Sequence, residues 1–154
     1  MLPAGYRIDT LNPADLPQIM NVERLSFAHP WTEEAFSTEF TKPYAFFLGV
    51  RRDRQVVAVL LYWVVFPEIH ILSLGVHPEH RRQGLASLLL QVLLEMGPDM
   101  ECEKIDLEVR ENNIAGQKLY EIMGFDRVGR RKKYYTDTME DAFLYTYSFQ
   151  GKSA

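Results

Sequence analysis

A chain of 154 residues, 47% hydrophobic and 25% charged, has an ordinary soluble composition and is long enough to bury a core without staples. A formal net charge of −4 argues against general nucleic-acid affinity, and a single cysteine, Cys102, excludes an internal disulfide and a cysteine-based zinc site. The longest apolar run, residues 56–66, is too short to span a bilayer, and the N-terminus shows no signal-peptide pattern, so a cytoplasmic location without membrane contact is the default expectation.

Residues 6–10 read as a first strand. Asn12-Pro13 predicts a cap followed by proline in the first turn, and Leu16, Ile19 and Met20 carry a helix to about Phe27. After His29-Pro30-Trp31, Thr32 caps a short second helix with Glu33 and Glu34 in its first turn, so the two helices read as a lid or wall. Residues 44–50 and 55–66 predict two strands joined by a polar turn at 51–54. A fourth strand, 69–76, precedes a helix from Gly84 in which Leu85, Leu88, Leu89, Val92 and Met96 recur at helical spacing. Leu90, Leu93 and Leu94 fill its other faces, which predicts burial all round, and Gly97-Pro98 predicts its stop. Residues 103–110 read as strand five, Asn112-Asn113 opens a helix that Gly124 ends, and 125–130 and 142–149 are the last strands. Phe143, Tyr145, Tyr147 and Phe149 share one face and read as core, while Arg130-Arg131-Lys132-Lys133 reads as a solvated hairpin edge. No repeat or linker divides the chain. The order predicts a single α/β domain over residues 1–154, with a mostly antiparallel seven-stranded sheet, four helices and one parallel crossover.

Three places carry chemistry. The strand–loop–helix junction at His80-Arg81-Arg82-Gln83-Gly84-Leu85-Ala86 offers free backbone N–H groups, the positive end of a helix dipole and two arginines, a combination suited to phosphate. It is neither a P-loop nor a dinucleotide fingerprint. On strand five, Ile105, Leu107 and Val109 mark one face, so Asp106, Glu108 and Arg110 share the other; Glu108 then lies at a mouth or pairs with a neighbour such as Arg110. Tyr120 leans back along its helix toward the end of that strand, or packs in the core, and Asn113 suits a helix cap. His70 and Glu68 are reserve candidates for a base. Cys102, between Glu101 and Glu103, is a poor covalent carrier, and the four histidines show no metal-ligand spacing.

The segment Arg81-Arg82-Gln83-Gly84-Leu85-Ala86 resembles the acyl-CoA-binding signature of the GNAT acetyltransferases, [Q/R]-x-x-G-x-[G/A]. Pro30-Trp31-Thr32, Leu107-Glu108-Val109-Arg110, Leu119-Tyr120, residues 130–135 ending in Tyr134-Tyr135, and Glu140-Asp141-Ala142 are together similar to the bacterial ribosomal-protein-alanine N-acetyltransferases (RimI-like). The likeness covers nearly the whole chain. It implies a GNAT-like fold, with acetyl-CoA as co-substrate, no metal, and a splayed V between strands four and five for the pantetheine arm. It further implies that Leu74, Gly75 and Val76 bond that arm and that Arg82, Gln83, Gly84, Leu85, Ala86 and Ser87 hold the pyrophosphate. Asn113 would also touch the cofactor, Glu108 would be the general base, Tyr120 the general acid, and Tyr134 and Tyr135 the grip on the acceptor peptide. Ala86 stands where many relatives have glycine, which the signature allows. The implied activity is transfer of acetyl to a protein N-terminal amine, that of alanine on a small-subunit ribosomal protein, without nucleic-acid or membrane partners and in a form compatible with a monomer. The rival readings are acetylation of lysine or a small amine, and a non-catalytic acyl-CoA-binding module.

Overall fold

In the computed structural model, which describes residues 2–149, the elements follow the predicted order. They are β1 (Tyr6–Thr10), a 3₁₀ turn (Pro13–Asp15), α1 (Leu16–Ser26), α2 (Glu33–Glu39), β2 (Ala45–Arg52), β3 (Gln55–Val65) and β4 (Glu68–Val76). A second 3₁₀ turn (Pro78–His80) leads to α3 (Leu85–Asp99), β5 (Lys104–Arg110), α4 (Ile114–Ile122), β6 (Asp126–Tyr135) and β7 (Glu140–Ser148). The seven strands form one sheet in the order β1-β2-β3-β4-β5-β7-β6. β4 runs parallel to β5, and the β1–β2, β2–β3, β5–β7 and β6–β7 pairs are antiparallel. Among the described residues no helix is long and apolar enough to cross a membrane.

The chain divides into two compact units, residues 1–64 with 72–93, and residues 65–71 with 94–154. In the first, Ile19, Met20 and Val22 on α1 and Phe36 on α2 pack with Leu11, Phe47, Val56, Val59 and Leu61 into one buried cluster. Asn12 caps the first turn as predicted, accepting the Ala14 N–H at 2.9 Å, while Asp15 reciprocates on the Asn12 N–H at 2.9 Å. Asp15 also receives Arg51 Nη2 at 2.9 and 3.0 Å, and Asp9 receives Arg51 Nε at 2.8 Å.

In the second unit, β5 alternates as predicted, with Ile105, Leu107 and Val109 buried. The register sets Leu107 opposite Tyr145 and Val109 opposite Phe143, which places the β7 aromatics on the same apolar face. Cys102 is buried, and burial rather than the flanking glutamates pushes its thiol up.

Several boundaries differ from expectation. α3 does not stop at Gly97-Pro98 but continues to Asp99. A side chain on Gly97 would collide with the Phe149 ring, so this glycine serves packing. The chain leaves the helix at Glu101, whose φ of 57° is left-handed and lets the Cys102 N–H reach the Gly97 carbonyl at 2.9 Å. Nor is α3 buried all round, because Gln91, Glu95 and Asp99 give it a solvent face. β2 runs through Arg52, leaving Asp53-Arg54 as the turn, with Asp53 at φ 56°. β6 reaches Tyr135 because its pairing with β7 carries on to Tyr135↔Glu140, and the basic run 130–133 lies on it, exposed.

Loss of the Asp15 carboxylate removes a cap and leaves a buried guanidinium one partner short. Asp15→Ala is therefore expected to destabilise the protein by about 3–5 kcal/mol. Chemical denaturation checks this; a loss below about 1 kcal/mol would mark the pair as a weak surface contact.

Candidate active site

In the first unit the end of β4 leads into the basic turn. His77 closes the strand, and its ring accepts the Glu79 N–H at 3.1 Å. Arg82 and Gly84 both take left-handed φ values, 64° and 75°, and curl the backbone just before α3. Such alternation turns successive N–H groups into one concavity, and α3 adds its own unpartnered donors. The Leu88 N–H bonds the Gly84 carbonyl at 3.0 Å, so the N–H groups of Leu85, Ala86 and Ser87 precede the helical ladder. Nothing lies within 4 Å of the position a Gly84 side chain would take. Arg82 and Gln83 are exposed, whereas Arg81 Nε turns back to the Val76 carbonyl at 3.1 Å. The turn thus has the open backbone, orphan donors and positive charge that a pyrophosphate needs.

Of the strand residues before it, Gly75 is buried against the end of α1. A side chain there would meet Ser26 Oγ at 3.0 Å and the Phe27 ring at 3.2 Å. The same α1 turn supplies buried Glu23, which accepts from the Trp31 N–H at 2.9 Å and the Ser73 hydroxyl at 3.1 Å. Ligand-spacing rules did not anticipate that His77, Glu79 and His80 bring donor atoms within 4.8 Å of one another. His80 Nδ1 in that group already lies 2.9 Å from the Tyr6 hydroxyl.

In the second unit Glu108 does not pair with Arg110. Its Oε2 lies 2.7 Å from His70 Nε2, and its side chain is only 16% exposed. The parallel register explains this: His70 sits beside Asp106, and Glu108 is two residues further along the same face. The Glu108 carboxylate, through that hydrogen bond, raises the His70 pKa above its ordinary 6.5, against the lowering effect of burial. Around them a cleft of about 360 Å³ is lined by His70, Asp106, Glu108, Arg131, Leu144 and Thr146.

Tyr120 is buried, edge-on to Phe125 at 5.6 Å and tilted against Tyr145 at 6.2 Å. Burial pushes its phenol far above the ordinary value, with a smaller contribution from Tyr135. No direct Glu108–Tyr120 hydrogen bond forms among the described residues. Tyr135 links the two: it raises the Tyr120 phenol, and Glu108 raises its own. Its phenol is pushed up to about 12, chiefly by burial, with Arg110 pulling it down and Glu108 adding to the rise. Tyr134 stands edge-on to Tyr135 at 5.1 Å and is 42% exposed. Asn113 caps α4, its Oδ1 accepting the Gly116 N–H at 3.0 Å.

Residues 16–125 match the family described as the Acetyltransferase (GNAT) family. The chain belongs to the GNAT acetyltransferases. The ribosomal protein bS18-alanine N-acetyltransferase of Escherichia coli is 32% identical to this family member over 139 residues, covering 89% of this chain and 93% of that protein. The crystal structure of the Escherichia coli ribosomal-protein alanine N-acetyltransferase matches the acetyltransferase described here with a TM-score of 0.85 at 29% identity, covering 94% of each chain. A GNAT acetyltransferase of Elizabethkingia anophelis with acetyl-CoA bound shares the fold, with a TM-score of 0.78, 15% identity and coverage of 95% and 99%. The chain is thus an acetyl-CoA-dependent N-acetyltransferase on the predicted α/β fold.

A raised His70 pKa means that its ion pair stabilises the fold fully below the unfolded value near 6.5, and that this contribution is lost as pH rises through the higher folded value. An NMR titration is expected to place the wild-type His70 midpoint above 6.5. In Glu108→Gln the main cause of the rise is gone and burial lowers the midpoint. An unmoved midpoint would break the assignment of this pair.

Proposed function

We propose that residues 1–154 form one catalytic domain that acetylates the α-amine of a protein N-terminus, specifically the N-terminal alanine of a small-subunit ribosomal protein. The 32% identity to a bS18-alanine N-acetyltransferase supports the substrate class. One observation supports the mechanism most: a half-buried carboxylate, Glu108, held 2.7 Å from a histidine on the floor of a cleft.

The cofactor residues are Leu74, Gly75 and Val76 on β4, then Arg82, Gln83, Gly84, Leu85, Ala86 and Ser87 at the turn. Asn113, whose Oδ1 is committed to the cap, keeps its NH₂ group for a further contact. When bound, acetyl-CoA supplies the thioester carbonyl that the amine attacks. The chain's own groups deal with protons and position. Glu108 is the general base, taking the proton the amine sheds, with His70 holding its carboxylate in place. An α-amine of pKa near 8 is roughly a tenth to a fifth neutral at pH 7.2, whereas a lysine near 10.4 needs about 3 kcal/mol more to deprotonate. A lone carboxylate base therefore suits the N-terminal substrate. Tyr120 is the general acid. Its high pKa keeps the phenol protonated throughout the working range, so it always has a hydrogen to offer a departing thiolate. Tyr134 and Tyr135 hold the peptide backbone.

Glu108→Gln is nearly isosteric, and kcat/KM is expected to fall by about 10²–10³ at pH 7. Because the amine deprotonates unaided at higher pH, part of that loss is regained toward pH 9. Near-wild-type turnover at pH 7 would remove Glu108 from the mechanism. Tyr120→Phe should lower kcat by about 10²–10⁴ with acetyl-CoA affinity kept. The wild-type kcat should show no alkaline fall from Tyr120 below pH 10, since the group must lose its proton to fail and its pKa is raised. A peptide panel including alanine N-termini and internal lysines tests the substrate class: faster turnover on lysine would overturn it. Gly84→Val, which forces a branched side chain into a left-handed position beside the phosphates, should weaken acetyl-CoA binding in calorimetry while the protein stays folded.

A further inference from the structure

Arg110 ends β5 two residues after Glu108, on the same face of the strand. Sequence reading offered it as a partner for Glu108. In the structure its guanidinium turns the other way, across the end of the β6–β7 hairpin. Nη1 donates to Asp137 Oδ1 at 3.2 Å, Thr138 Oγ1 at 3.1 Å and Glu140 Oε1 at 3.2 Å, and Nη2 donates to Asp137 Oδ2 at 3.0 Å. Its flat face lies 4.0 Å from the centre of the Tyr135 ring. Thr138 reinforces the fork by donating its hydroxyl to Glu140 Oε1 at 2.7 Å. The second Glu140 oxygen is buried without a hydrogen-bond partner, so Arg110 is the cation that compensates this carboxylate. Tyr135 and Glu140 are paired across the hairpin, and the turn between them includes Met139 at a left-handed φ of 60°. Such a turn is strained for a side chain larger than glycine and holds its shape only when its neighbours hold it.

We propose that Arg110 is a positioning residue for the acceptor. It ties the Tyr135 ring, and the turn that carries it, to the strand that bears Glu108, so the grip on the peptide keeps a set position relative to the base. A planar guanidinium is needed, because three acceptors and a ring must be met at once. A lysine ammonium has the charge but neither the fork nor the flat face. The inference rests on the reading of Tyr135 as a peptide contact.

The experiment is a steady-state double-mutant cycle with acetyl-CoA and an alanine-terminated peptide, using Arg110→Lys, Tyr135→Ala and the double variant. Arg110→Lys is expected to raise peptide KM roughly tenfold with acetyl-CoA KM within about twofold of wild type. In the Tyr135→Ala background the same change should add almost nothing, because Arg110 acts through that ring. Equal rises in both KM values, or fully additive effects, would make Arg110 a general prop of the fold and overturn the proposal. A normal peptide KM in Tyr135→Ala would instead remove the tyrosine from the acceptor site and the proposal with it. If Arg110→Lys does not fold, Asp137→Ala removes two of the four hydrogen bonds from an exposed turn. It should show the same selective rise in peptide KM, and an unchanged value there would equally overturn the assignment.

Discussion

Four parallel pairs, from Glu68↔Lys104 to Ile71↔Leu107, set where the charged groups of the adjoining strands β4 and β5 stand in the second unit. They put His70 next to Asp106 and one strand-step from Glu108, and they fix which face of β5 carries the carboxylates. A slip of one residue would move Glu108 into the apolar layer and leave Leu107 in its place. The register is held because Ile69, Ile71, Ile105 and Leu107 are all buried, so a slip of β5 would also turn Ile105 and Leu107 out of the core. The placement of His70 and Glu108 is thus set by hydrophobic packing on the opposite face of the same strands.

Much of this was readable because the periodicities are clean. The alternation of residues 105–109, the caps at Asn12, Thr32 and Asn113, and the glycine-bearing turn before Leu85 are local patterns, and local patterns survive translation into structure. What was not readable depends on distant contacts. Gly97-Pro98 looks like a helix stop, yet the ring of Phe149, some fifty positions away, occupies the space that glycine leaves and the helix runs on. The partner of Glu108 was misjudged for the same reason. Arg110 is near in sequence, but the β6–β7 hairpin supplies it with better-placed acceptors, and His70 arrives from another strand. The clustering of His77, Glu79 and His80 was also invisible to spacing rules, which describe a helix, whereas His77 caps a 3₁₀ turn that contains the other two.

The two groups proposed to move protons sit in contrasting surroundings. Glu108 lines a cleft and keeps a histidine partner, while Tyr120 is enclosed beside aromatic rings, where burial penalises its phenolate. One environment favours a group that accepts a proton and the other a group that never loses one in advance. In the proposed mechanism such contrast lets a carboxylate and a phenol work at the same pH without competing.

β6 closes the sheet on one side, with one of its edges unpaired. An open edge is a template for another strand, and its backbone donors and acceptors would readily zip onto a second chain. Here that edge carries Arg130, Arg131, Lys132 and Lys133, all exposed, on a protein that is negative overall. Arg130 is ion-paired with Asp141, but a second copy presenting the same edge would still bring cation against cation along the rest of the run. The run that looks like a basic tract therefore opposes the edge-to-edge pairing that a bare last strand would invite.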